Sequence, residues 1–220
     1  CFVVEPIQAE GGIVVAPPGY LAAVRQLCTE TGPVPIFDAV QTGVGRTGTW
    51  FGYQHDNVEP DVMTLAKGLG GGIPIGAVAC SNKAALGLAA VAGGAVPHAS
   101  TFGGNALACA AANAVFDIID SEHLLAKVTE QGHYLDQLLG ELVVEFPGHV
   151  IDTRGRGLLR GIAVANGPAT VVAKAREKGL LLSVAGDKVV RFAPPYVVER
   201  VQLDEAVNVL RTVLADGAGK

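Results

Sequence analysis

Two residues that end or follow predicted strands have the side chains that cofactor chemistry needs. Asp38 ends the apolar segment 34–38, and Lys67 follows the apolar segment 61–66 and precedes a glycine-rich run, 68–72. A lysine amine can hold a carbonyl cofactor as a Schiff base, and a carboxylate can keep a pyridine ring nitrogen protonated. Ligands of open α/β sheets lie at the carboxyl ends of strands, which is where both residues fall. The pair therefore meets two requirements of pyridoxal phosphate.

Each residue also has a more ordinary explanation. A single lysine is usually a solvated surface residue, here in front of a glycine turn. A strand-end aspartate usually forms a turn. The apolar and glycine-rich neighbours of Lys67 favour a close, desolvated site instead. Taken one at a time, these residues favour the ordinary interpretation, and only their combination with other motifs favours a cofactor site.

Five motifs occur in order along the chain. They are EPIQAEGG (5–12), DAVQTGVGRTG (38–48), KGLGGG (67–72), STFGGN (100–105) and RFAPP (191–195). This ordered set resembles the class III, or ω-amino, aminotransferases, and most closely their acetylornithine and ornithine aminotransferase branch. Five ordered motifs are more specific than any one of them, and the resemblance covers essentially the whole chain. It implies the C-terminal part of such an enzyme, with pyridoxal phosphate as cofactor.

The resemblance assigns four residues to the cofactor. Lys67 would hold it as a Schiff base and later move a proton at the substrate carbon. Asp38 would pair with the ring nitrogen, and Gln41 would bond near the ring hydroxyl. Thr101 would donate to the phosphate across the interface of a homodimer.

The resemblance assigns two further residues to the substrate. Arg191 would bind a substrate carboxylate with its two-pronged guanidinium. Glu10 would neutralise Arg191 while an ω-amine reacts and would swing away when 2-oxoglutarate arrives, because an unpaired buried arginine is costly. The alternative is that Glu10 only caps the turn before the glycines of the first motif.

The implied reaction is a transamination from an ω-amino donor, such as N-acetylornithine or ornithine, to 2-oxoglutarate, giving a semialdehyde and glutamate. Two alternatives stay open. One is a mutase or racemase on the same scaffold, although Arg191 argues for an acceptor that carries a carboxylate. The other is a non-catalytic fragment that needs an N-terminal half.

Two features depart from the family pattern. Ala39 stands where the family usually has an acid directly after the aspartate. The family's phosphate cradle and the aromatic residue that stacks on the ring belong to an N-terminal half that this sequence lacks. The chain also opens without Met on a strand-like segment, so we expect a fragment of a longer enzyme.

Short apolar runs alternate with helical periods, which predicts an α/β fold. We expect strands at 2–7, 34–38, 61–66 and 75–81, and helices at 18–30, 104–120 and 124–145. The order of elements then changes. We expect strands at 149–153, 158–165, 180–184 and 189–192, and helices at 169–178 and 203–216. We therefore expect part of a large, mostly parallel sheet domain at 1–120 and a smaller α+β domain at 121–220.

Composition limits the other possibilities. The net charge is −5 and no basic block occurs, so we expect no nucleic-acid or membrane partner. The weakly polar run 84–97 is too short and too glycine-rich to cross a bilayer. The four scattered cysteines and five histidines show no metal-ligand spacing, so we expect no metal site and a reducing, cytoplasmic location.

Overall fold

The computed structural model describes residues 1–88, 98–165 and 167–218. They form two compact units. The first comprises Cys1–Pro6, Ala16–Val44 and Thr49–Glu122, and the second comprises Ile7–Val15, Gly45–Gly48 and His123–Lys220. The main change of unit falls between Glu122 and His123, while two short early segments join the second unit. The division into domains 1–120 and 121–220 stays a prediction.

The elements are numbered in chain order. The strands are β1 (Phe2–Val4), β2 (Ile7–Gln8), β3 (Val14–Val15), β4 (Pro35–Asp38), β5 (Val62–Leu65), β6 (Ala77–Cys80), β7 (Val150–Arg156), β8 (Leu159–Val164), β9 (Ser183–Ala185) and β10 (Val189–Phe192). The α-helices are α1 (Tyr20–Thr31), α2 (Asn82–Ala85), α3 (Ala106–Ser121), α4 (Leu124–Glu145), α5 (Pro168–Glu177) and α6 (Arg200–Ala218).

The first unit is built on a four-stranded sheet with the order β1-β4-β5-β6. The pairs β1–β4 and β4–β5 are parallel, and β6 runs antiparallel to β5. One face carries Phe37, which packs in a buried cluster with Leu21 and Val24 of α1. Burial alternates along β4 and β5, so Asp38 and Thr64 lie on the other face and are only half-buried.

The two main helices of the first unit begin and end where local chemistry requires. Helix α1 ends at Gly32, whose backbone is left-handed and whose N–H donates to the Cys28 carbonyl. Helix α3 begins after Asn105, whose side chain accepts a hydrogen bond from the Ala108 N–H at 2.9 Å.

The second unit is built on an antiparallel sheet with the order β7-β8-β10-β9. One face is covered by α4 and α5, and α6 packs against these two helices in the same core. Helices α4 and α6 contribute buried residues at helical spacing. These are Val128, Leu135, Leu139 and Leu142 of α4, and Leu203, Val207, Leu210 and Leu214 of α6. The other face packs against Ile7 and Ile13 of the β2–β3 hairpin. Both faces are therefore covered, and every residue of β8 is buried.

The prediction of a mostly parallel α/β sheet followed by an α+β layer is confirmed, but one predicted strand is wrong. The segment 2–7 is two strands: β1 ends at Val4, and Ile7 begins β2 in a different sheet. Pro6 lies between them and has no N–H to continue a ladder, which explains the break.

Among the described residues, no helix combines the length and the hydropathy needed to cross a membrane. The run 84–97, which the sequence marked as weakly polar, lies partly outside the described residues.

Candidate active site

Asp38 and Lys67 lie at one edge of the first unit's sheet. Strands β4 and β5 are parallel neighbours, and Asp38 pairs with Thr64 in their register. Lys67 follows Thr64 by three positions and lies two residues after the end of β5 at Leu65. Because the two strands are parallel neighbours, their carboxyl ends lie at the same edge of the sheet, and the shared cofactor role of Asp38 and Lys67 stays a prediction.

The backbone at Lys67 is unusual. Its φ is 46°, in the left-handed region that residues other than glycine rarely adopt. It opens a one-turn 3₁₀ helix, Lys67–Gly70, which lies against α3. A Cβ atom at Gly71 would lie 2.9 Å from Cγ2 of Val115, so the turn needs glycine there. Strained backbone of this kind costs roughly 1–3 kcal/mol and concentrates at functional sites.

Two further residues of the first unit were predicted to contact the cofactor. Gln41 is half-buried and lies three positions after Asp38, whose carboxylate accepts a hydrogen bond from the Val40 N–H at 2.9 Å. Thr101 lies on an exposed turn before α3. Because it is not part of a strand, the pairing of β4 with β5 does not place it beside Asp38 and Lys67. The roles of both residues stay predictions.

A buried hydroxyl beside Asp38 supports the fit of a polar group at this edge. Thr64 is the cross-strand partner of Asp38 on the same half-buried face, and its buried Oγ1 has no hydrogen-bond partner among the described residues. The hydroxyl of Thr42, next to Gln41 in the sequence, is also buried without a hydrogen-bond partner among the described residues. Unpaired buried polar atoms are uncommon and cost roughly 1–3 kcal/mol each. The residues at this edge, an acid, an amine and the unpaired hydroxyl of Thr64, suit a polar cofactor such as pyridoxal phosphate.

Glu10 and Arg191 form an ion pair in the second unit. Nη1 of Arg191 lies 2.5 Å from Oε1 of Glu10. The arginine side chain is 16% exposed, whereas the glutamate side chain is 65% exposed. The structure therefore holds the cation in place and leaves the anion on the solvent side.

Alternation along β10 explains why these two residues meet. Val189 packs with Ile13 of the hairpin, and Val190 and Phe192 pack on the α4–α6 face. Arg191 has the parity of Val189 and therefore points to the hairpin face, where Glu10 lies.

The turn that carries Glu10 is held by backbone contacts. The Glu10 carbonyl accepts a hydrogen bond from the Gly186 N–H at 2.7 Å. Ile13 is fully buried with a φ of 54°, a strained value for a β-branched residue. A Cβ atom at Gly161 would lie 3.1 Å from Ile13, so the strand beneath the turn needs glycine. The main chain of the turn is fixed while the Glu10 carboxylate stays exposed.

Sequence reasoning missed the contact of Arg191 with Ser183. Nε of Arg191 donates to Oγ of Ser183 at 2.9 Å, and the two residues are cross-strand neighbours in β9 and β10. The signal was available: Ser183 is the one polar residue in the run LLLSVA (180–185), and an antiparallel register places it opposite Arg191.

Arg46 holds the loop that follows β10. Its Nη1 donates to the Pro194 carbonyl at 2.5 Å, and its guanidinium lies 4.4 Å from the centre of the Tyr196 ring. Burial lowers the pKa of Arg46, and the neighbouring Tyr196 partly opposes that effect. Burial also raises the pKa of Tyr196, an effect that Arg46 opposes.

In the part of the chain that the structure describes, no group of three or more His, Cys, Asp or Glu side chains is arranged to hold a metal ion.

Comparisons with known proteins agree with this geometry. The family model for "Aminotransferase class-III" matches residues 1–214. The chain is 45% identical over 208 residues to the acetylornithine aminotransferase of Methanosarcina acetivorans, covering 94% of this chain and 50% of that protein. It is 46% identical over 213 residues to the enzyme of the same name from Gloeobacter violaceus, covering 96% and 52%.

Solved structures show the same relationship. The ornithine aminotransferase of Toxoplasma gondii superposes with a TM-score of 0.90 at 35% identity, covering 100% of this chain and 52% of that one. The acetylornithine aminotransferase of Elizabethkingia anophelis gives 0.88 at 31% identity, covering 98% and 56%. The chain spans about half the length of the relatives that it matches. The chain therefore belongs to the class III aminotransferases, a family of fold-type I enzymes that depends on pyridoxal phosphate.

Proposed function

We propose that this chain is the lysine-bearing part of an aminotransferase that moves an amino group from an ω-amino donor to 2-oxoglutarate. The donor would be N-acetylornithine or ornithine, and the products a semialdehyde and glutamate. The observation that carries the proposal is the pair of the largely buried Arg191 and the exposed Glu10 in a class III aminotransferase. The names of the relatives support the choice of donor.

Three residues would work on the cofactor. When bound, pyridoxal phosphate supplies a ring that withdraws electrons from the substrate carbon next to the amine. The carboxylate of Asp38 would hold a proton on the ring nitrogen, and the Gln41 side chain would hold the ring hydroxyl. Nζ of Lys67 would hold the cofactor and then move a proton at the substrate carbon.

Glu10 and Arg191 would let one site accept two kinds of substrate. An ω-amino donor presents an uncharged or cationic end, and Glu10 keeps the arginine neutralised in its presence. A dicarboxylate needs the guanidinium, and the Glu10 side chain, which is 65% exposed, would move aside for it. Because the incoming carboxylate would take over the pairing of the largely buried arginine, the guanidinium would not be left uncompensated during the exchange.

The remaining expectations follow from the family. Thr101 would reach the phosphate bound by the second subunit of a homodimer. We also propose a reducing, cytoplasmic location, with which four free thiols agree. Ala39 is buried, with 1% of its surface exposed, and replaces the usual acid while Asp38 is kept. We expect this replacement to affect substrate choice more than the electronics of the ring.

The proposal is tested by following the two half-reactions separately with Arg191→Lys. Lysine keeps the charge but loses the two-pronged geometry, so KM for 2-oxoglutarate should rise about tenfold or more. The half-reaction with the amino donor should change far less. Arg176→Lys, an exposed arginine of α5 in the same unit, is the matched control.

Equal losses in both half-reactions would contradict the assignment of Arg191. Turnover of the amino donor to an isomer without any keto acid would indicate a mutase or racemase instead. A protein that holds the cofactor on Lys67 and reacts with neither substrate would be the non-catalytic form.

A further inference from the structure

We propose that Ser183 is a positioning residue that sets the affinity of Arg191 for the substrate carboxylate. The Ser183 hydroxyl accepts a hydrogen bond from Nε of the guanidinium. The N–H groups of Nη1 therefore keep the same direction whether they donate to Glu10 or to a substrate carboxylate. The inference rests on the proposed function, because it assumes that Arg191 binds a carboxylate.

The contacts of Arg191 with Ser183 and with Glu10 use different nitrogens of the guanidinium. Nε donates to Ser183 Oγ at 2.9 Å, and Nη1 donates to Glu10 Oε1 at 2.5 Å. A guanidinium is planar, so fixing Nε fixes the directions of the remaining N–H groups. Ser183 can therefore hold the plane while the contact at Nη1 changes.

The two partners also differ in how firmly they are held. Ser183 belongs to β9 and pairs directly with Arg191, in a ladder that continues through Val190↔Val184 and Val189↔Ala185. Its side chain points to the same face as Arg191. Glu10 lies on a turn, and its side chain is 65% exposed. The serine is a fixed anchor, and the glutamate is the exchangeable one.

The consequence is preorganisation of the arginine. Without an anchor, an arginine whose acidic partner has left can adopt many rotamers, and binding a carboxylate must then order it again. When Ser183 holds Nε, the arginine side chain is already ordered in the folded protein. Binding of the substrate then loses less conformational entropy. Loss of the hydroxyl should therefore weaken carboxylate binding without removing any contact that the carboxylate itself makes.

The residues on either side of Ser183 also support a specific role for its hydroxyl. Leu182 and Val184, on either side of Ser183, pack against the apolar α4–α6 core. Alternation sends Ser183 to the opposite face, where its partner is the arginine. Strand propensity alone does not favour serine at this position, since β-branched and aromatic residues form strands better.

The test compares Ser183→Ala with Ser183→Thr, which restores a hydroxyl on a strand-forming residue. Thr212→Ala is the control, because its hydroxyl donates to the Asn208 carbonyl of its own helix. The first readout needs neither cofactor nor activity: the ¹H–¹⁵N signal of Arg191 Nε–H, assigned by its loss in Arg191→Lys. We expect faster solvent exchange of this proton in Ser183→Ala and a return toward the original rate in Ser183→Thr.

The second readout is binding of glutarate, a dicarboxylate that cannot be transaminated, followed by the shift of the same signal. Ser183→Ala should bind glutarate about 3- to 10-fold more weakly, and Ser183→Thr should recover most of the affinity. In an active enzyme, KM for 2-oxoglutarate should rise by the same factor, with kcat and KM for the amino donor nearly unchanged.

The outcomes separate the inference from the function on which it rests. The proposed role of Ser183 is wrong if Ser183→Ala leaves the solvent-exchange rate of Arg191 Nε–H or the affinity for glutarate unchanged. This holds even if transamination is intact. No glutarate binding by the unmodified protein overturns both the carboxylate role of Arg191 and the inference. Weaker glutarate binding in Ser183→Ala without transamination of any donor supports Ser183 and rejects only the proposed reaction.

Discussion

At the scale of single residues, burial decides which partner of a charged pair is fixed. Arg191 is mostly buried and makes contacts with a strand neighbour and with Glu10, whereas Glu10 is mostly exposed. The same principle acts in the first unit, where Asp61 has a side chain 12% exposed and pairs with Arg25 at 2.8 Å. The first pair suits exchange, and the second suits stability.

The pair of Asp61 and Arg25 predicts a dependence of stability on pH. Burial by itself would raise the pKa of Asp61, but hydrogen bonds from Arg25 and Ser81 and the charge of Arg25 bring it below its ordinary value of 3.8. A carboxyl group whose pKa is lower in the folded state stabilises the fold above its unfolded pKa. That contribution disappears as the pH falls through the lowered folded pKa.

We therefore expect Asp61→Asn to lower the free energy of unfolding by roughly 1–3 kcal/mol at pH 6. The difference should shrink below about pH 4, because the carboxyl group of the original protein becomes protonated there. Urea denaturation at several pH values measures this, with Asp117→Asn on the exposed surface of α3 as control. A difference that stays constant down to pH 2 would exclude the ionised pair as its cause.

At the scale of elements, helix α4 shows how closely the second unit packs. Gly132 faces the turn after β7, and a Cβ atom there would lie 2.5 Å from the Gly157 carbonyl oxygen. Gly140 lies two turns further along the same helix, and a Cβ atom there would meet nothing within 4 Å. One glycine is required by packing, and the other only weakens the helix.

Alanine at each position should give opposite results. Gly132→Ala should destabilise the protein by about 1–3 kcal/mol through overpacking, since backbone atoms cannot move aside cheaply. Gly140→Ala should stabilise it by about 0.5–1 kcal/mol through helix propensity. Thermal and urea unfolding of the two variants measure the difference. The packing account is wrong if both substitutions change stability in the same direction.

The elements also explain what sequence reasoning could reach. Helix α4 was predicted at 124–145 and is found at Leu124–Glu145, because its apolar period and the Pro147 stop are local signals. The strand at 2–7 was wrong because apolar content outweighed Pro6 in the prediction. Strand β9 was predicted at 180–184 and is found at Ser183–Ala185.

The candidate site was predictable in part for the same reasons. The shared edge of Asp38 and Lys67 followed from strand ends, which are visible in the sequence. Glu10 and Arg191 are 181 positions apart, so only the family resemblance suggested that they meet. The contact of Arg191 with Ser183 depends on register, which a shift of a few residues in a predicted strand conceals.

At the scale of the whole molecule, the two units hold different parts of the proposed chemistry. The residues assigned to the cofactor, Asp38, Gln41, Lys67 and Thr101, belong to the first unit. Those assigned to the substrate carboxylate, Glu10 and Arg191, belong to the second. Substitutions in the second unit should therefore change acceptor binding and leave attachment of the cofactor intact.

The attachment of pyridoxal phosphate to Lys67 is the central claim. The most direct measurement incubates the protein with the cofactor, reduces it with borohydride and maps the modified peptide by mass spectrometry. We predict a yellow absorption band before reduction and modification of Lys67, with both lost in Lys67→Ala and retained in Lys83→Ala. Modification of another lysine while Lys67 stays free, or a band that persists in Lys67→Ala, would contradict the account.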